Sequence, residues 1–131
     1  MQQRPINPWT WQDGFGFSQA IEISNQQRVL ICSGQTSVDE NGAPLYAGDA
    51  GAQISQALDN LETVLKNADM TLANVVRLNI YTPDVDAIFG SWAVCADRLK
   101  AAGCKPACTL LGVARLFETE LLVEIEATAA A

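Results

Sequence analysis

From Asp49 onward the apolar positions recur at three- and four-residue steps: Ile54, Ala57, Leu58, Leu61, Val64, Leu65 and Ala68. That spacing gathers them on one side of an α-helix. Upstream the period is different. Phe17 to Ser24 alternates, with Phe17, Gln19, Ile21 and Ile23 on one face, and Arg28 to Ser33 is a nearly continuous apolar run. With Asn25-Gln26-Gln27 between them, the two predict an antiparallel hairpin. Asp39 to Gly48, rich in Gly, Asn and Asp, predicts a surface loop.

After the first helix, Val75 to Thr82 predicts a strand with Val76, Leu78 and Ile80 on one face. Thr82-Pro83-Asp84 is a helix start signal, and Val85, Ile88, Phe89, Trp92, Ala96 and Leu99 form the stripe of a second helix ending near Gly103. Ala107–Ala114 and Leu121–Thr128 close the chain as strands. In the last, Leu121, Val123, Ile125 and Ala127 oppose Leu122, Glu124 and Glu126. The short tail Ala129–Ala131 is expected to fray.

The order is β-β-α-β-α-β-β, an α+β arrangement in which right-handed crossovers place two helices on one face of a single sheet. The chain, residues 1–131, is long enough for one domain. The other sheet face, expected to carry Cys32, Leu110 and Leu122, then has nothing in the chain to cover it. A hydrophobic share of 49% favours a second copy as the cover, in a ring closed by rotational symmetry.

Charge and composition narrow the chemistry. A net charge of −7 with only 8 Lys and Arg leaves no clustered basic surface, so neither nucleic acid nor an anionic membrane is an expected partner. No apolar run reaches the length of a membrane span, and the first residues lack the order of a signal peptide, so the reading is cytoplasmic. The four cysteines have no Cys-x-x-Cys pairing. There is no histidine, which excludes His-based triads and most catalytic zinc sites. Carboxylates, thiols and backbone groups remain for acid–base work.

Four motifs occur in order: Gly16-Phe17-Ser18-Gln19-Ala20, Ser33-Gly34-Gln35, Ala57-Leu58-Asp59-Asn60-Leu61 and Glu124-Ile125-Glu126-Ala127. With Pro106-Ala107-Cys108-Thr109 and Val113-Ala114-Arg115-Leu116, they resemble the signature of the Rid (YjgF) family of reactive-intermediate deaminases, over about Gly16 to Ala127. The resemblance implies a chorismate-mutase-like fold, a homotrimer with clefts at the subunit interfaces, and hydrolysis of 2-imino acids and enamines without metal or cofactor. Carried over residue by residue, it implies a cleft lined by Phe17, Ser33, Gly34, Cys108, Thr109 and Glu124, with Trp92 added from the second helix.

One position departs. The family's Pro-Ala-Arg-Thr/Ser has Cys108 in place of the arginine that clamps the substrate carboxylate. An arginine fork pairs a carboxylate bidentately, at about 1.5–3 kcal/mol per charge-assisted bond. Cysteine supplies neither charge nor reach. Arg115, seven residues on, stands roughly 23 Å away along an extended strand and matches a different family arginine. The expected substrate is therefore an imine, enamine or amide-like metabolite less anionic than a 2-imino acid.

Cys108 reads as a pocket wall or, given an activating neighbour, as a nucleophile. Glu124 reads as the acid–base group or as one half of a salt bridge at the subunit seam. Cys32, Cys95 and Cys104 read as core. The exposed pair Trp9 and Trp11 suggests packing on a neighbour or over the cleft. Three functions follow: a deaminating hydrolase, a binding protein without turnover, and, least favoured by the acidic charge, an RNA-cleaving protein.

Overall fold

A computed structural model describes all residues from Met1 to Ala131. Its main sheet has five strands, β3 (Val29–Ile31), β4 (Gln35–Thr36), β5 (Val75–Thr82), β6 (Ala107–Gly112) and β7 (Glu124–Ala130). The order is β3-β7-β5-β6, with β4 continuing along the edge of β7 that β3 occupies. β5 and β6 are parallel and β7 runs antiparallel to both of its neighbours, so the sheet is mixed.

Three helices pack on one face: α1 (Ala50–Asn67), α2 (Val85–Gly90) and α3 (Trp92–Ala101). Asp49 caps α1 by accepting from the Ala52 N–H at 3.0 Å, and Asp84 caps α2 through the Ala87 N–H at 3.1 Å. The apolar stripe of α1 is buried as its spacing predicts, with Ile54, Leu58, Leu61 and Leu65 removed from solvent. Each such side chain contributes about 1.5–3 kcal/mol of burial. They meet Leu78 and Ile80 of β5 and Ile125, Ala127 and Ala129 of β7 in one core. Arg98 of α3 ties the two long helices together, bonding the Ser55 carbonyl, Asp59 and Glu62.

The structure corrects several expectations. The predicted hairpin does not form: β2 (Ala20–Ser24) pairs instead with β1 (Gln2–Ile6), which the pattern did not mark, in a separate two-stranded sheet. Arg4 and Glu22 face each other there as an ion pair, and Pro5 is tolerated because the strand is an edge. There are thus two sheets rather than one. The apolar run of β3 is only half core, since Ile31 is 81% exposed, and its backbone partner is β7. The second helix is two helices. It breaks at Gly90-Ser91, where glycine is a poor helix former and the Ser91 N–H turns back to the Ile88 carbonyl.

Nor does the alanine tail fray. Ala129 and Ala130 are fully buried opposite Leu30 and Val29, and Ala131 exchanges backbone hydrogen bonds with Arg28. Alanine's small side chain fits where α1 lies close over the sheet. Cys32 and Leu110 belong to the helix-covered side: Cys32 is in the core and Leu110 packs against it. The face without helices is polar at its centre, carrying Arg77, Asn79, Tyr81, Thr109, Glu124 and Glu126, with exposed Ile31 and Leu111 towards its edges.

Gln53, on the buried side of α1, holds two loops at once. Its side-chain amide donates to the carbonyls of Tyr46 (3.1 Å) and Glu120 (2.8 Å), and its oxygen accepts from the Leu122 N–H at 2.7 Å. It is 0% exposed and fully satisfied. Gln53→Leu leaves the Glu120 carbonyl and the Leu122 N–H without their partner, while the Tyr46 carbonyl keeps the Asp49 N–H. The expected loss is about 2–4 kcal/mol of unfolding free energy, read as a lower urea midpoint at unchanged slope.

Candidate functional site

Two groups of predicted site residues lie at opposite edges of the main sheet. The first is built on β6. Ser18 docks the N-terminal segment on this strand: its N–H donates to the Pro106 carbonyl at 2.9 Å and its hydroxyl to the Lys105 carbonyl at 2.7 Å. That docking sets Phe17 beside Cys108. Gly16, at φ +87°, makes the preceding bend, and a Cβ there would lie 3.2 Å from the Ala96 backbone of α3. Glycine is required on both counts. The Trp92 indole N–H donates to the Phe15 carbonyl at 2.9 Å and closes the ring of contacts.

The result is a pocket of about 180 Å³ lined by Phe15, Phe17, Phe89, Trp92, Cys108 and Leu110. Every lining residue is apolar. Trp11 stands edge-on to Phe17 with ring centroids 5.9 Å apart, so it packs on one wall residue of the pocket without lining it. The helix break between α2 and α3 falls between Phe89 and Trp92, so these two walls come from different helices. Of the predicted residues, Phe17, Trp92 and Cys108 meet here. Phe15, Phe89 and Leu110 were missed. Phe89 has the clearest signal: the helical spacing puts it on the buried stripe of a continuous helix, and the break leaves it 61% exposed.

Burial pushes the Cys108 thiol up to about 11, with Arg77 acting weakly in the other direction. Cys95 and Cys104 are pushed up to about 12, also by burial first. All three are thiols at neutral pH, with negligible thiolate for nucleophilic attack. Cys95 and Cys104 are core, as their positions predict.

The second group sits where β3 gives way to β4. Ile31 pairs with Thr128 and Gln35 with Ile125, so four steps on this edge oppose three on β7. The extra residue is a β-bulge, placing Ser33 and Gly34 together opposite Glu126. A Cβ on Gly34 would fall 2.5 Å from Cδ and 2.6 Å from Cγ of Glu124. The Glu124 side chain therefore occupies the space that only glycine leaves open. Glu124 makes no ion pair and no side-chain hydrogen bond within the chain, so its carboxylate oxygens are available. Ser33 is exposed beside it.

Thr109 belongs to neither group. It lies on the helix-free face, accepting from Arg77 at 2.9 Å. From there a polar chain crosses the sheet: Arg77 donates to Asn79 at 3.1 Å, Asn79 to Glu126 at 3.0 Å, and the Tyr81 hydroxyl to the same Glu126 oxygen. Glu126, on the face that alternation gives it, is the acceptor at the centre of this network.

In register, Cys108 stands beside Leu78 and Glu124 beside Tyr81, on opposite faces and two strands apart. Three residues along and two strands across is about 14 Å between backbones. One chain does not bring the two groups together.

A mixed sheet with helices on one face, a broken edge holding a carboxylate against a glycine, and an apolar pocket at the opposite edge define an α+β protein with the YjgF/Rid fold. The family model described as endoribonuclease L-PSP matches residues 14–131, and the chain belongs to that family. It is 30% identical over 126 residues to a RutC family protein of Pyrococcus horikoshii, covering 96% of this chain and 89% of the relative. The crystal structure of the conserved Rid family protein YyfB from Yersinia pestis superposes with a TM-score of 0.85 at 38% identity, covering all of both chains. A human relative named 2-iminobutanoate/2-iminopropanoate deaminase is 30% identical over 70 residues, 53% of this chain and 49% of its own length. No helix of this chain is long and apolar enough to cross a membrane.

The polar chain yields a pH prediction. The Tyr81 hydroxyl first, then Asn79, holds the Glu126 carboxyl below the usual carboxylate range. The same contact holds the Tyr81 hydroxyl above its usual value. A lowered carboxylate stabilises the fold above the unfolded value of about 4.3, and that stabilisation is lost as pH falls through the folded value. The raised tyrosine stabilises below about pH 10 and loses its effect as pH rises through its folded value. In Tyr81→Phe the Glu126 titration, followed by carboxyl carbon NMR, moves upward towards the ordinary range.

Proposed function

We propose that this protein hydrolyses the C=N bond of a small, weakly charged imine or enamine, or a related amide-like bond, in clefts formed between copies of the chain. The observation that carries the reading is Glu124: a carboxylate with no partner, held against Gly34 beside exposed Ser33. In the cleft, water adds to the imine carbon and Glu124 takes its proton. Glu124 returns that proton to the nitrogen, giving a carbinolamine. It then carries the hydroxyl proton to the nitrogen as well, so that the C–N bond breaks and ammonia leaves as the carbonyl forms. No metal or cofactor takes part. Ser33, Gly34 and Thr109 contribute hydroxyl and backbone groups, and Phe17, Trp92 and Cys108 hold the substrate's apolar part. With its thiol protonated, Cys108 serves as a wall.

The separation of the two groups supports a shared cleft. Glu124 of one copy faces the pocket of the next when the helix-free faces turn towards a common axis. Exposed Ile31 and Leu111 on that face support its being covered, and a homotrimer is the assembly we infer. Ile31→Asp places a charge in that seam. Sedimentation should change from the mass of three 14.1 kDa chains to that of one. A wild type that sediments as a monomer would remove the shared cleft.

The function is tested by ammonia release from 2-iminopropionate, 2-iminobutyrate and a set of neutral imines generated in situ. Wild type should act on neutral imines and poorly on the two acids. Glu124→Gln should lower the rate about a hundredfold or more. Cys108→Arg should gain activity on the acids. Saturable binding of these imines with no turnover, and no effect of Glu124→Gln, would leave a binding protein in place of a hydrolase.

A further inference from the structure

Resting on that reading of the site, we propose that its natural occupant is an uncharged molecule carrying one aromatic ring, seated in the pocket between Phe17, Phe89 and Trp92. Size, shape and charge point the same way. At about 180 Å³ the pocket exceeds the roughly 150 Å³ apolar cavity that accepts benzene, leaving space for one small substituent. Three phenylalanines and a tryptophan supply ring faces and edges for offset or edge-on packing, and Trp11 already packs edge-on against Phe17 from outside.

No lysine or arginine lines the pocket. Arg77 is held by Asn79 and Thr109 on the helix-free face. Arg115 bonds the carbonyls of Leu116 and Phe117. Lys100 and Lys105 line a separate depression together with Asp13 and Asp97. The one N–H donor in the wall, the Trp92 indole, is committed to the Phe15 carbonyl. A carboxylate in this pocket would lose its hydration and find no partner, which costs several kcal/mol in an apolar setting. A neutral ring loses nothing there. Its polar substituent points out through the open side, where the proposed function places Glu124 of a neighbouring copy.

Phenylacetamide, phenylacetate and isobutyramide share size or polarity in pairs and differ in charge or ring. Binding is read from the NMR shift of the Trp92 indole N–H, assigned by its loss in Trp92→Phe. Phenylacetamide should bind about tenfold or more tighter than either other probe. Phe89→Ala, an exposed wall residue, should weaken phenylacetamide with an unchanged unfolding temperature, and Cys108→Arg should reverse the preference in favour of phenylacetate. Equal or tighter binding of phenylacetate or isobutyramide overturns the proposal, as does the absence of any indole shift at millimolar phenylacetamide. Turnover does not enter the readout. A protein inactive on every imine that still ranks the probes in this order sinks the hydrolase reading alone, and active protein with the opposite ranking sinks this one alone.

Discussion

The strand on which everything else depends is β7, because it is hydrogen-bonded along both edges and divides its residues strictly between two faces. Ile125, Ala127 and Ala129 go beneath α1, while Glu124, Glu126 and Thr128 go to the side without helices. A slip of one residue would bury three polar side chains and expose the aliphatic ones, so the register is strongly determined. Once it is set, Glu124 must lie beside Gly34, and Glu126 opposite Asn79 within reach of the Tyr81 hydroxyl. The core and the carboxylates are placed by the same alternation.

What could be read in advance follows from how local each signal is. The stripe of α1 and the alternation from Leu121 to Ala127 are carried by neighbouring residues, and both are observed. The pairing of β2 was not legible, because two apolar runs separated by a turn look alike whether they pair with each other or with distant strands. β1, with Arg4, Pro5 and few apolar residues, had no strand signal of its own and is held by backbone bonds and one ion pair. The alanine tail looked featureless, yet small side chains are what its buried position needs. Gln53 was invisible for a different reason: a polar residue in an apolar stripe has meaning only when its three distant partners are known.

The candidate site was legible in its members and not in its arrangement. Phe17, Trp92 and Cys108 share a pocket, and Ser33, Gly34 and Glu124 share a bulge, but the sheet holds the two sets apart. Cys108 then gains a structural context. The thiol closes a wall made otherwise of aromatic and aliphatic groups, and burial keeps it neutral. An arginine at this position would be the single charge in an apolar enclosure.

The bulge between β3 and β4 sets regular pairing against an open carboxylate at a single residue. Ile31 and Gln35 would still meet Thr128 and Ile125 if one residue between them were gone, and the edge would then run as one unbroken ladder. The sheet has no need of the extra residue; it interrupts pairing that the backbone could complete. Ser33 and Gly34 stand off the ladder at the expense of regular hydrogen bonding, and in return Glu124 gains a recess open to other molecules. A shortened edge would be the tidier β-structure and the emptier protein.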